Sequence, residues 1–177
     1  LNYVEASTLT YTEKLVQSGI QQGVRTAVEA DSKGEIKKVD WGFYDRVKRL
    51  GMAARVSYSR GEYQHARMLY ANLLAEENYD QQKSWYFEAM YDLARMDYKD
   101  SDYQKSLDHI VQAIAIVEQT MQYLADEKER AFFVKKREDA YRVLRNSLIK
   151  TGNGKKLYGY CTTIQSKSGY SPNACQV

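Results

Sequence analysis

The stretch Leu50–Leu74, LGMAARVSYSRGEYQHARMLYANLL, decides the fold, because it returns forty residues later as Met90–Ile114, MYDLARMDYKDSDYQKSLDHIVQAI. Under that shift Leu50 falls on Met90, Ala53 on Leu93, Ala54 on Ala94, Arg55 on Arg95 and Tyr58 on Tyr98. Further on, Tyr63 falls on Tyr103, Ala66 on Ser106, Leu69 on His109, Tyr70 on Ile110, and Leu73 and Leu74 on Ala113 and Ile114. Size or polarity is kept at most of these positions. Within each copy the apolar residues recur at helical spacing, and a polar break at Gly61 or at Asp100-Ser101-Asp102 divides the copy in two. Each copy therefore reads as helix, turn, helix, and a period of about forty residues is the signature of a helical repeat array. Small Ala54 and Ala94 let the two helices of a hairpin approach closely. Tyr63 and Tyr103 open the second helix, where a ring can cover the turn. Tyr70 and Ile110 fill the groove toward the next unit.

The helical period extends outward from the repeat. Leu15, Ile20, Val24 and Val28 give an apolar stripe over Ser7–Ala30, and Asp31–Gly34 breaks it. The spacing predicts further helices over Asp40–Arg60 (Asp40 as N-cap), Glu62–Glu77, Asp80–Lys99, Tyr103–Tyr123 and Asp126–Lys150. Thr151-Gly152-Asn153-Gly154 is a strong stop, followed by a short helix over Lys155–Ser166 and a loop. No segment shows sustained strand alternation. The expectation is an all-α chain of about seven helices in about three antiparallel hairpins, an α-solenoid. Residues 1–160 form the repeat domain and 161–177 a tail.

Length and composition fit that frame. The chain has 177 residues and is 44% hydrophobic, enough for one cored domain or a short repeat array. One proline and ten glycines argue against a turn-rich β protein. The longest apolar run, Ile110–Val117, is short and interrupted by Gln112, so no transmembrane segment is expected. Charge is uneven: Glu127–Tyr160 holds ten Lys/Arg against four Asp/Glu, a net +6, whereas Leu1–Asp126 holds fifteen against nineteen, a net -4. The basic segment reads as a solvated helix face, or as a surface for an acidic partner or a membrane. Its Lys135, Lys136, Arg137, Arg142 and Arg145 make no clean stripe with interleaved aromatics, so no nucleic acid is expected as a partner.

Cys161 and Cys175 are the chain's two cysteines, and Gly169, Pro172 and Asn173 between them let the chain turn back. A disulfide there would contribute about 3 kcal/mol on the chain-entropy argument and would pin the tail. It points to an extracytoplasmic site, periplasmic or secreted; two separate thiols in a reducing cytosol are the alternative. No signal peptide is visible, and the opening residue, Leu1, is what a processed or excised fragment would show.

The stretch Leu50-Gly51-Met52-Ala53-Ala54 through Gly61-Glu62-Tyr63 and Ala66 to Tyr70 resembles the tetratricopeptide repeat. Met90, Leu93, Ala94, Tyr103, Ser106 and Ile110 form a weaker second copy, and Tyr141, Leu144, Leu148, Gly152 and Leu157 a degenerate third. The resemblance covers Trp41 to Tyr123 well and the flanks poorly. The period is longer than the family's about 34 residues, and Asn78 stands where a proline often ends the unit. The long helices look like variant repeats of bacterial regulatory and sensor proteins. The resemblance implies a concave groove lined by the first helix of each pair, holding a peptide or a partner helix. The matching positions are Lys48, Gly51, Arg55, Tyr58 and Ser59, then Glu88, Tyr91, Arg95, Tyr98 and Lys99.

Among these, an Arg three residues before a Tyr recurs in both units, as Arg55-Tyr58 and Arg95-Tyr98. Residues three apart share a helix face. Two such pairs would form a ladder in which Arg grips carboxylates and Tyr adds rigid contact area. Lys48, Arg55, Tyr58, Tyr91, Arg95 and Tyr98 are therefore the candidate ligand- or partner-binding residues. The ligand would be a protein or peptide, acidic or ending in a carboxylate. The plainer alternative pairs Arg55 and Arg95 with acids such as Asp92 or Asp97 and makes the tyrosines packing residues. Catalytic, metal and cofactor signals are missing. His65 and His109 share no ligand spacing, Gly152-Asn153-Gly154 lacks the strand and Lys-Ser/Thr of a phosphate loop, and Cys161 has no base nearby in sequence. The expected function is a non-enzymatic interaction module, the sensor or adaptor part of a larger bacterial regulatory protein. A structural unit that self-associates as a homodimer is the second reading.

Overall fold

The structure, a computed structural model, describes residues 41–76 and 83–176. The helix expected over Ser7–Ala30 and the N-cap at Asp40 lie outside them. The described residues contain no strand. Their seven α-helices are α1 (Trp41–Ser59), α2 (Tyr63–Leu74), α3 (Lys83–Lys99), α4 (Tyr103–Met121), α5 (Glu127–Lys135), α6 (Glu138–Lys150) and α7 (Leu157–Ser168). Short 3₁₀ turns cover Gly154–Lys156 and Asn173–Cys175.

The forty-residue shift is a repeat of backbone hydrogen bonds. After α1 the Gly61 N–H donates to the Tyr58 carbonyl at 3.0 Å and the Glu62 N–H to the Ser57 carbonyl at 2.9 Å. After α3 the Ser101 N–H donates to Tyr98 at 3.1 Å and the Asp102 N–H to Asp97 at 2.9 Å. After α6 the Gly152 N–H donates to Ile149 at 3.1 Å and the Asn153 N–H to Leu148 at 2.8 Å. This paired bonding is the Schellman helix stop, which needs one residue in the left-handed region. That residue is Gly61 (φ 78°), Ser101 (φ 65°) and Gly152 (φ 72°) in the three turns. Each turn folds the next helix back. The rings expected to cover the turns do so: Tyr63 meets Tyr58 edge-on at 5.6 Å, and Tyr103 meets Tyr98 at 5.1 Å.

Side-chain contacts fix the directions. Arg46, near the start of α1, reaches Glu76 beyond the end of α2 at 3.2 Å, so that pair is antiparallel. Lys83 at the start of α3 lies over the Tyr123 ring beyond α4. Lys99 at the end of α3 meets the Tyr63 hydroxyl at the start of α2, so α2 and α3 are antiparallel as well. It follows that α1 and α3 run parallel. Their approach is close because position 51 is glycine: a Cβ there would collide with the Trp85 ring. The hairpin interiors are built from small residues, with Ala54, Ala66, Ala94 and Ser106 all fully buried. The Ser106 hydroxyl bonds the Ala94 carbonyl and the Ser147 hydroxyl, both at 2.8 Å, which seats α6 on α4. Tyr70, Leu73, Ile110, Ile114, Leu144 and Leu148 fill the core. Asp97, also buried, is held by Arg67 from α2 at 2.5 Å and His109 from α4 at 2.6 Å.

The expected sixth helix is two helices. The chain bends at Lys136-Arg137, with Arg137 at φ -113°, ψ 20°. No glycine or proline marks the site. At the bend the Arg137 guanidinium lies 3.6 Å from the centre of the Phe133 ring and 5.1 Å from that of Phe87 on α3, and it donates to the Phe133 carbonyl at 3.0 Å. Helix α7 runs past the boundary drawn at residue 160 to a left-handed Gly169. Cys161 and Cys175 form a disulfide, with Cα atoms 5.5 Å apart. The segment between them is also tied to α6, where Glu138 accepts the Tyr170 hydroxyl at 2.7 Å and the Asn173 N–H at 2.5 Å. Pro172 and Ala174 are buried beneath it.

Two stability predictions follow from the turns. A left-handed residue with a Cβ costs about 1 kcal/mol. Ser101→Gly is expected to raise the urea unfolding free energy by about 0.5–1 kcal/mol, and Gly61→Ala to lower it by about 1 kcal/mol. Replacing both cysteines by serine is expected to cost about 2–3 kcal/mol in the same measurement.

Candidate functional site

Helices α1 and α3 enclose a groove of about 430 Å³ lined by Arg55, Val56, Tyr58, Ser59, Glu88, Tyr91, Asp92 and Arg95. Four of the six residues selected from the sequence meet there: Arg55, Tyr58, Tyr91 and Arg95. Lys48 does not line it. Gly51 sits against Trp85 near the start of α3, so Lys48, almost one turn earlier on a parallel helix, lies at the margin of α3. Tyr98 does not line it either; its ring packs on Tyr103.

The ladder of guanidinium and phenol differs from the expected one. Arg95 sits between two rings, 5.0 Å from the centre of Tyr58 and 5.3 Å from that of Tyr91. Tyr91 in turn stacks on Phe87 at 5.9 Å, and Arg137 lies beyond Phe87. At the other end Tyr58 meets Tyr63, over which Lys99 lies at 4.2 Å. A single row of cations and aromatic rings thus crosses from α1 through α3 to the α5–α6 bend. Cation–π contacts of this kind contribute on the order of 0.5–2 kcal/mol each. Arg55 is outside the row.

The two arginines also differ in charge balance. Arg95 lies 3.4 Å from Asp92 on its own helix. That part of the plainer alternative holds for Arg95; Asp97 is occupied by Arg67 and His109 instead. The forty-residue equivalent of Asp92 is Met52, so Arg55 has no acid at that place. Among the described residues Arg55 makes no hydrogen bond or ion pair, although Glu88 and Asp92 are close enough to feel its charge. Asp92 is almost fully buried and accepts the Tyr70 hydroxyl at 2.6 Å. Burial raises its carboxyl above the ordinary range, and Tyr70, Arg95 and Arg55 pull it back only in part. Burial likewise raises Glu88, opposed by Arg55 and reinforced by Asp92. The phenols of Tyr58 and Tyr91 are raised by burial against the pull of Arg95. The sequence had put Glu88 and Ser59 on the groove; Val56 and the desolvated Asp92 it had not. Asp92 stands three residues before Arg95, a spacing that marks an ion pair on a helix.

One constellation outside the groove has the residue types of a hydrolase. Ser57 Oγ lies 3.0 Å from His65 Nδ1, and Glu62 Oε2 lies 3.9 Å from the same nitrogen. A relay needs the nucleophile and the orienting acid on opposite nitrogens of the ring. Here both address one, and Ser57 is buried in α1. The arrangement ties the first residues of α2 to the end of α1. No group of three or more metal-ligating side chains occurs among the described residues.

The raised carboxyls fix the sign of a pH effect. A folded-state titration above the unfolded one makes folding more favourable below the ordinary carboxylate range, and that advantage is lost as the pH rises through the raised values. Chemical denaturation across that interval is expected to show Glu88→Gln and Asp92→Asn each gaining stability relative to wild type as the pH rises. No protein-family model matches the chain, and no curated protein or solved structure shows significant similarity to it.

Proposed function

We propose that this chain is a non-enzymatic helical-repeat interaction module of tetratricopeptide type, which holds a peptide or protein segment in the groove between α1 and α3. The observation that carries the reading is Arg55, an arginine without an ion pair among the described residues, on the wall of an open groove whose other cation, Arg95, is matched by Asp92. Val56 and Ser59 beside it add an exposed apolar surface and a hydroxyl. The stacked row behind Arg95 makes the wall rigid, which lowers the ordering cost of binding. The recurrence of the helix stop after α1, α3 and α6 supports the repeat architecture. The chain would serve as the sensor or adaptor part of a regulatory assembly. Its disulfide supports an oxidising, extracytoplasmic setting.

Self-association has less support. Among the described residues the large exposed apolar side chains are Met52 and Val56 on α1, Met68 on α2, Tyr123, Phe132 on α5, Ile149 on α6 and Tyr158 on α7. They are spread around the chain, and scattered apolar residues are ordinary on a monomer's surface. No described helix is long and apolar enough to cross a membrane.

Arg55→Ala is expected to leave helical circular dichroism unchanged and to weaken capture of a native partner by at least about 1 kcal/mol. Full binding by the folded variant moves the site elsewhere. Arg95→Ala is expected to lower the melting temperature, because it removes the link between Tyr58 and Tyr91. Sedimentation over a concentration range separates the readings, with a strict monomer expected.

A further inference from the structure

The groove holds two cations and two acids, and one of each is committed. Asp92 takes the Tyr70 hydroxyl from inside the protein and faces Arg95. Arg95 is covered on two sides by Tyr58 and Tyr91. Arg55 is left to face the groove from α1, and the charge opposite it on α3 is Glu88, which makes no hydrogen bond or ion pair among the described residues. An anion that reaches Arg55 therefore arrives beside a half-buried carboxylate.

We propose, building on the groove reading above, that Arg55 and Glu88 form an exchangeable pair: a carboxylate of an acidic polypeptide segment takes over the Arg55 guanidinium, and Glu88 takes up a proton from solvent as it loses that partner. Charge balances at each stage. Before binding, the guanidinium offsets Glu88; afterwards it offsets the ligand's carboxylate and Glu88 is neutral. The groups facing Glu88 set the direction. Arg55 on α1 and Arg137 at the α5–α6 bend favour its charged form, whereas burial and Asp92 on α3 oppose it; the Tyr70 phenol of α2 also feels its charge. Removing the influence of Arg55 leaves burial and Asp92 against Arg137 alone. Glu88 is thus a specificity-determining residue. It discriminates against anions while charged and admits them as the pH falls.

The first test needs no ligand. Carbon-detected NMR titration of the Glu88 carboxyl in the full chain is expected to show its midpoint moving up by about one pH unit in Arg55→Ala, a tenfold change in proton affinity. An unmoved midpoint overturns the pair. The second test uses an acetylated Glu/Ala peptide and its Gln/Ala counterpart, titrated by calorimetry at mildly acidic pH in two buffers of different ionisation enthalpy. Wild type is expected to bind the Glu peptide with uptake of up to about one proton and to ignore the Gln peptide. Glu88→Gln is expected to bind the Glu peptide at least about threefold more tightly, with no proton uptake and little pH dependence. Proton uptake that persists in Glu88→Gln, or weaker binding by that variant, overturns the exchange. If Glu88 answers to Arg55 but no variant binds the Glu peptide, the exchange with an acidic segment is overturned and only the electrostatic coupling of the two groups remains. The groove reading is tested separately, by the effect of Arg55→Ala on a native partner.

Discussion

The packing of the Arg95 guanidinium between the rings of Tyr58 and Tyr91 is the contact on which the groove depends. It joins α1 to α3, two helices separated in sequence by α2, and does so with side chains that α1 and α3 themselves supply. Gly51 permits the approach and the stacked row fixes it. The row continues on both sides, to Phe87 and Arg137 in one direction and to Tyr63 and Lys99 in the other. The row ends at the bend between α5 and α6, where Arg137 lies against Phe87. Part of the unusual tyrosine content, sixteen residues, is explained in the same way. A phenol can cover a helix stop, flank a cation and keep its hydroxyl toward water or a buried acid. Phenylalanine performs only the first two.

Much of this was legible in the amino-acid order, and the reasons are local. The forty-residue shift shows because each helix stop needs its own chemistry at a fixed distance from its neighbours: a left-handed residue at Gly61 or Ser101, an acidic residue at Glu62 or Asp102, and a ring at Tyr63 or Tyr103. The groove face was readable because three-residue spacing on a helix is geometric. The division of labour between the two arginines was not. It turns on Met52 standing where Asp92 stands in the other copy, and on ring orientations that depend on neighbouring helices. The exclusion of Lys48 follows from where α3 begins; that of Tyr98 has no local signal, since its counterpart Tyr58 makes the same ring contact and lines the groove.

The break at Lys136-Arg137 marks the limit of local reasoning. Nothing in the dipeptide disfavours a helix. At the break the Arg137 guanidinium lies on Phe133, four residues earlier, and on Phe87, a contact that exists only once α3 has brought that ring alongside. The tail is the reverse case. Cys161 and Cys175 foretold a closed loop, but the buried Pro172 and the two hydrogen bonds to Glu138 give that loop a seat on α6 of its own.

The pairing of opposite charges in the groove has a kinetic consequence. Arg55, Arg95, Glu88 and Asp92 sum to no net charge, so at distances beyond the Debye length, about 8 Å in physiological salt, the groove exerts almost no field of its own. An approaching molecule is not drawn in from afar. Discrimination begins only on touching, and the rate of encounter at this face should barely respond to ionic strength, while the lifetime of what forms there carries the selectivity.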